Sequence, residues 1–272
     1  MIFGRKKKNA DEVVAEPSEA TTGSSDLDAA GEPPAADSPE EQPNDAAATP
    51  GAGREAETAD ESAAGGERDW AAYDLSADWR EDGPYDVEEV DLEADQVQRL
   101  DLGALIITPP PGAQLQLQVA QGTQTIISAL VMHGESALEL SVFSAPRTPG
   151  LWAETREQII EQTLAGQGSA DCVEGPFGTE LVRNLPVQLP DGRVGVQVTR
   201  TWVAEGPRWL LRGVVMGKAA LSNEVDNDLV GPLFDTFCDV IVRRGEEPKP
   251  VGDLMPLQLP AGAQMQRMPT QE

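Results

Sequence analysis

VGVQVTRTWVAEGPRWLLRGVVMG, residues 194–217, contains two alternating apolar runs on either side of Glu205-Gly206-Pro207. Alternation of this kind around a turn predicts an antiparallel hairpin, in which we expect Trp202 to pair with Trp209. One face of the hairpin is then apolar and predicts a sheet core: Val194, Val196, Val198, Trp202, Trp209, Leu211 and Val215. The opposite face carries Gln197, Thr199, Thr201, Leu210, Arg212 and Val214.

Further strands are predicted on both sides of this hairpin. Upstream, four runs with short connections predict a meander: 99–108, 113–120, 125–134 and 136–145. Other strand patterns lie at 169–175, 179–188 and 240–245. A protein with many strands joined by tight turns has a largely antiparallel sheet.

Two amphipathic helices interrupt the strand pattern. Thr148-Pro149 predicts the start of the first helix, and Ser222 is the predicted N-cap of the second. The second helix is predicted to run to Val240, with a bend or a split at Gly231-Pro232. The sequence therefore predicts the α+β class, with a largely antiparallel sheet of about eight strands and two helices packed on it. The predicted aromatic core comprises Trp152, Trp202, Trp209, Phe234 and Phe237.

Composition divides the chain into three parts. The formal net charge is -27, of which about -24 falls on residues 9–95, after a basic start from Arg5 to Lys8. Residues 1–80 are predicted to be a disordered acidic tail, because they hold too few apolar residues to offset the entropy of ordering. A single domain is predicted over 83–245, followed by a poorly ordered segment over 246–272.

This charge distribution also limits the partners and the location. An acidic tail repels nucleic acid, so no nucleic-acid partner is expected. No signal peptide or long apolar run follows the basic start, and one weak basic segment gives no stable membrane association. We therefore expect a cytoplasmic protein with two reduced cysteines, Cys172 and Cys238.

Candidate site residues are few. Arg200, Arg208 and Arg212 could form an anion-binding site, or each could form a salt bridge with an acid such as Glu180, Asp191 or Glu205. His133 is the only histidine in the chain, so no multi-histidine metal site is expected. The sequence predicts no catalytic residues, no metal and no cofactor.

Several motifs together resemble the actinobacterial domain-of-unknown-function 3710 family. They are MIFGRKKK (1–8), GPYDVEEV (83–90), VDLEADQVQRLDLGAL (90–105), GPFGTELVRNLPVQLPDGRVGVQ (175–197) and EGPRWLLRGVVMG (205–217). The resemblance implies a bacterial cytoplasmic protein and no known activity. The order of the predicted elements is also similar to the Mog1/PsbP-like sandwich, whose members are mostly binding or assembly factors.

Two functional hypotheses follow from these observations. The first is a non-enzymatic binding or protein-interaction module, because no nucleophile, base and orienting group occur in a recognisable arrangement. The second is a hydrolase or transferase acting on an anionic, phosphorylated or nucleotide-like metabolite. In that hypothesis Arg200, Arg208 and Arg212 hold the anion, and His133 or Glu180 is the base.

Overall fold

The computed structural model describes residues 68–260 except 121, 190, 223 and 226. The α-helices are α1 (Trp70–Asp74), α2 (Leu151–Ala165) and α3 (Gly231–Cys238). The strands are β1 (Tyr85–Asp86), β2 (Leu100–Asp101), β3 (Leu105–Ile107), β4 (Gln114–Val119), β5 (Ile126–His133), β6 (Ser136–Ser144), β7 (Ser169–Gly175), β8 (Gly178–Gln188), β9 (Val194–Gly206), β10 (Trp209–Gly217) and β11 (Ile241–Val242). Short 3-10 helices cover Val87–Glu89 and Lys218–Leu221.

The strands form two sheets. The larger sheet is antiparallel with seven strands in the order β4-β5-β6-β10-β9-β8-β7, and the smaller one has the order β1-β11-β3-β2. Within the smaller sheet, β1 and β11 are parallel. The predicted α+β class with a largely antiparallel sheet is confirmed, although the strands are divided between two sheets.

The predicted strand over 99–108 belongs to the smaller sheet and is interrupted at Gly103. Gly103 has a φ of 79°, which interrupts the strand, and its N–H donates to the Asp101 side chain at 2.8 Å. The run therefore breaks into β2 and β3 of the smaller sheet. It does not lead the predicted four-strand meander, which consists of β4, β5 and β6 alone.

The main core lies on one face of the larger sheet, where α3 and the smaller sheet contribute apolar side chains to it. Trp202, Trp209 and Phe237 are buried there, with Phe234 half-buried against them. The Trp202 and Phe237 ring centroids are 5.7 Å apart at 69°. Because aromatic side chains bury a large apolar area, this group contributes much of the stability of the core.

A smaller core lies on the opposite face of the larger sheet, under α2. Trp152 of α2 is 4% exposed, packs with Leu181, Val203 and Leu210, and donates its indole N–H to the Thr179 carbonyl at 2.9 Å. The side chain of Glu205 accepts from the backbone N–H of Trp152 at 2.5 Å. This contact fixes the helix start at Leu151, three residues beyond Thr148.

The hairpin register differs from the predicted one. Trp209 lies opposite Gly206 and Trp202 lies opposite Gly213, so the predicted pairing of the two tryptophans is wrong. The chain turns at Pro207-Arg208, where Arg208 adopts a φ of 62°. The shift is an even number of residues, so both tryptophans still face the main core. A Cβ at Gly206 would lie 2.1 Å from Cζ2 of Trp209, which explains a glycine there.

The predicted helix from Ser222 is also shorter than expected. A 3-10 turn precedes Ser222, and α3 begins only at Gly231, with Pro232 in its first turn. Proline lacks a backbone N–H and fits the first turn of a helix, whereas it disrupts the interior. Pro232 therefore marks the start of the helix rather than a bend within it.

Residues on both sides of the predicted domain bounds of 83 and 245 make contacts with the domain. Oδ2 of Asp74 accepts from Arg156 Nη1 at 2.6 Å, which joins the N-terminal arm to α2. At the other end Met255 and Leu257 are buried in the main core. The rest of the predicted tail, residues 1–67, and residues 261–272 lie outside the described residues. No helix among residues 68–260 is long and apolar enough to cross a membrane.

Candidate functional site

The structure places the three predicted anion-binding arginines in three separate environments. Arg200 is on β9 and faces the main core, whereas Arg212 is on β10 and faces the opposite side of the sheet. Arg208 occupies the exposed turn between these two strands. The three guanidinium groups are therefore not brought together around one ligand.

Arg200 forms a buried ion pair with Glu180. Its Nη2 donates to Oε2 of Glu180 at 3.0 Å and its Nε donates to Oε1, while Nη1 donates to the Ser222 carbonyl at 2.7 Å. The Glu180 side chain is only 3% exposed. The pair lines a cavity of about 240 Å³ together with Trp202 and Val230. This is the salt-bridge alternative for Arg200, in which the carboxylate and guanidinium satisfy each other.

Trp209 is fully buried, and two residues from the N-terminal part of the described chain, Arg80 and Asp86, contact its indole ring. Its indole Nε1 donates to Oδ2 of Asp86 at 2.7 Å, and Arg80 Cζ lies 5.4 Å from the centroid of its ring. A buried indole needs a partner for its N–H, and Asp86 supplies one. Trp209 is therefore enclosed by protein groups rather than open to a ligand.

The possible bases do not join the arginines into a catalytic arrangement. Glu180 is bound to Arg200, and His133 lies at the end of β5 opposite Ser136. Burial raises the pKa of the Cys172 thiol, which lowers its thiolate fraction and its reactivity. Within residues 68–260, no group of acids, histidines or cysteines is placed to hold a metal ion.

A two-stranded ribbon projects from the larger sheet. β7 pairs with β8 as far as Asn184, and β10 pairs with β9 as far as Arg200. Beyond these points β8 and β9 continue to pair with each other, from Leu185 opposite Gln197 to Gln188 opposite Val194. We call residues 185–199 the ribbon.

The ribbon exposes apolar side chains that were predicted to be core. Val194 is 72% exposed and Val196 is 67% exposed, and both lie on the same face because strand side chains alternate. The prediction followed their alternation with Val198 and Trp202. It is wrong for Val194 and Val196, because β10 does not continue alongside β9 far enough to bring the core over them.

The ribbon is uncharged overall in an acidic protein. Asp191 and Arg193 are its only charged residues in the sequence, and they pair at 2.7 Å. Pro186 has no backbone N–H, so the outer edge of β8 is an incomplete hydrogen-bonding edge. The sequence pattern did not lead us to expect the ribbon, although the long runs 179–188 and 193–204 flanking Pro190-Asp191-Gly192 contained the signal for it.

Comparison with known proteins gives a structural similarity and a family. The chain is similar to the solution structure of cyanobacterial PsbP (CyanoP) from Synechocystis sp. PCC 6803, with 14% identity, a TM-score of 0.30, and coverage of 56% of this chain and 97% of that chain. No curated protein matches the chain. A family model described as "Protein of unknown function (DUF3710)" matches residues 83–266. Because this match covers more than half of the sequence and agrees with the motifs in it, the chain belongs to the DUF3710 family.

Proposed function

We propose that the protein is a non-enzymatic protein-interaction module that contacts its partner through the ribbon. The observation that carries the proposal is the exposure of Val194 and Val196 on a ribbon that extends beyond the sheet. Single exposed apolar residues are common on protein surfaces, but two on one face of a strand end with an unpaired outer edge are typical of an interaction surface. The proposal includes the cytoplasmic location expected from the sequence.

The partner we propose is a protein segment in extended conformation with apolar side chains. β9 from Val194 to Val198 lies past the last β10 pairing, so its outer edge offers backbone donors and acceptors for a further strand. The side chains of Val194 and Val196 would pack against alternate residues of that strand. Since the ribbon has no net charge, neither a strongly basic nor a strongly acidic partner is favoured.

Site-specific photo-crosslinking tests the proposal in cells that produce the protein naturally. A photoreactive amino acid is placed at Val194 or Val196, and at Leu221 or Val251 as matched controls, because these are also exposed apolar residues. We expect a heteromeric adduct from the ribbon positions and none from the controls. Val196→Lys should abolish the adduct at 194, since a charge on the same face opposes apolar packing.

Hydrogen exchange supplies the second test once the adduct is identified. Adding the purified partner should protect the backbone amides of β9 between Val194 and Val198, while the amides of Leu221 and Val251 stay unchanged. Equal adducts from the ribbon and from Leu221 would contradict the proposal. An adduct between two copies of this chain would replace it with self-association.

The enzyme alternative has less structural support. A hydrolase or transferase needs an anion clamp and a base at one substrate, within the reach of a small molecule. Arg200 and Arg212 lie on opposite faces of the sheet, and the carboxylate of Glu180 is held by Arg200. The interaction module is therefore the hypothesis that the geometry favours.

A further inference from the structure

A group of polar side chains without partners lies on the sheet face that α2 partly covers. In the strand register Arg183 lies opposite Thr199, Leu181 opposite Thr201, and Arg212 opposite Val203. On β9, Thr201 therefore lies midway between Thr199, which pairs with Arg183, and Val203, which pairs with Arg212. We call Arg183, Thr199, Thr201 and Arg212 the arginine–threonine cluster.

The polar atoms of this cluster are buried but unsatisfied. Nε of Arg183, Nε of Arg212 and both threonine hydroxyls have no hydrogen-bond partner among the described residues. Thr199 is 2% exposed and Thr201 is 1% exposed, so neither hydroxyl is exposed to bulk solvent. Buried polar groups in folded proteins are almost always hydrogen-bonded. Four such atoms on one face of the sheet are therefore available to hydrogen-bond to a bound group.

The electrostatics of the cluster favour an anion. Burial lowers the pKa of Arg212, and burial together with the nearby Arg212 lowers the pKa of Arg183. Both shifts have the sign expected for guanidinium groups that lack a compensating negative charge. Glu139 is the acid that acts on both arginines, yet it makes no ion pair with either within 4.0 Å in the part of the chain that the structure describes.

Neighbouring residues hold Arg212 in place without neutralising it. Its Cζ lies 5.0 Å from the centroid of the Phe143 ring, and Phe143 itself packs against the small core under α2. A guanidinium group stacked on an aromatic ring keeps its in-plane N–H donors free for a ligand. Arg212 is thus positioned as a hydrogen-bond donor on the face that carries Arg183, Thr199 and Thr201.

We propose that the arginine–threonine cluster binds the phosphate group of a small molecule. Two guanidinium groups and two hydroxyls can donate to the several oxygens of a tetrahedral dianion, which has more acceptors than a carboxylate. The site is distinct from the ribbon valines, which lie on the other face of β9. It also differs from the anion site expected from the sequence, because Arg183 takes the place of Arg200 and Arg208.

Nuclear magnetic resonance of the arginine side chains tests this site on the full chain. Inorganic phosphate is titrated against chloride at matched ionic strength, and the Nε–H signals are followed. We expect saturable shifts of the Arg183 and Arg212 signals with phosphate and with adenosine monophosphate, but not with acetate. Arg183→Lys and Arg212→Lys keep the charge but remove the planar donor fork, and each identifies one signal by its disappearance.

The variants also measure the contribution of each arginine to binding. Each lysine variant should raise the dissociation constant for phosphate about tenfold or more. Arg193→Lys is the matched control, since Arg193 is an exposed arginine paired with Asp191, and it should bind phosphate as the natural chain does. Chemical denaturation of each variant confirms that it is folded.

Several results would overturn the phosphate site. Shifts that chloride reproduces at equal ionic strength would show general screening only. An unchanged dissociation constant in both lysine variants would place the anion elsewhere. Acetate binding as strong as phosphate binding would replace the phosphate with a carboxylate ligand.

Discussion

The indole Nε1 of Trp209 and Oδ2 of Asp86 are joined by a hydrogen bond of 2.7 Å, although the two residues are 123 positions apart in the sequence. Asp86 also accepts from the backbone N–H of Glu88 through Oδ1 at 2.9 Å and forms a capping box with Glu89. Asp86 therefore caps the short 3-10 helix and also hydrogen-bonds to the buried indole of Trp209. This one contact links the N-terminal segment to the central hairpin.

Trp209→Ala should destabilise the domain by about 3–5 kcal/mol, because it leaves a large cavity beneath β1 and removes the partner of Asp86. Trp209→Phe retains most of the apolar volume and should cost less. Urea denaturation of both variants measures the difference. A Trp209→Ala protein as stable as the natural chain would show that the indole does not support the fold.

The buried pair of Glu180 and Arg200 should be sensitive to the loss of one partner. Glu180→Gln should cost about 3–5 kcal/mol, because it leaves the Arg200 charge buried without a counter-ion. Lys218→Ala, at the exposed pair with Glu135, should cost about 1 kcal/mol or less. The double variant Glu180→Gln, Arg200→Met should recover part of the lost stability. Equal effects of Glu180→Gln and Lys218→Ala would contradict the assignment of a strong buried pair.

The N-terminal arm should contribute measurably to stability through Asp74. Asp74→Ala removes the acceptor for Arg156 and for the backbone N–H of Thr179, whose distance to Oδ1 is 2.7 Å. We expect a loss of about 1.5–3 kcal/mol, the range for hydrogen bonds to charged groups. Asp78→Ala changes an exposed acid of the same arm and should stay within about 0.5 kcal/mol. Thermal denaturation compares the two, and equal melting temperatures would show that the arm is not held by Asp74.

The C-terminal segment should also stabilise the domain. Met255 is 2% exposed, and its backbone N–H donates to the Val142 carbonyl at 2.8 Å. Met255→Ala should therefore cost about 2–5 kcal/mol through the cavity that it leaves. Val251→Ala, in the exposed part of the same segment, is the control and should be nearly neutral. A neutral Met255→Ala variant would show that this segment does not support the main core.

The thiol of Cys172 should react slowly with alkylating reagents at neutral pH. Burial raises its pKa, so at any pH near neutrality the folded chain holds less thiolate than an exposed cysteine does. In a Cys238→Ala background, the pH at half-maximal alkylation rate should lie above that of the same chain in denaturant. A midpoint at or below the denatured value would show that Cys172 is an activated thiol.

The sequence alone determined the class of the fold and the local chemistry of its elements. Alternation in 194–217 separated an apolar face from a mixed face. This separation survived an error in pairing because the register shift was even. The main aromatic positions also follow from local pattern, since Trp202, Trp209 and Phe237 recur at strand or helix spacing. For Arg200 the sequence left an anion site and a salt bridge open, and the buried pair with Glu180 is the salt-bridge alternative.

Only the tertiary structure decided which strand ends are covered and which polar groups find partners. Val194 and Val198 have the same local pattern, yet Val194 is exposed because the neighbouring strand ends before reaching it. Asp74 and Met255 lie in segments whose composition predicted little order, and their contacts are with residues far away in the sequence. Such contacts depend on the lengths and packing of distant elements, which periodicity within a short window does not encode. For the same reason, Arg183 and Arg212 are separated in sequence and share one face only on the folded sheet.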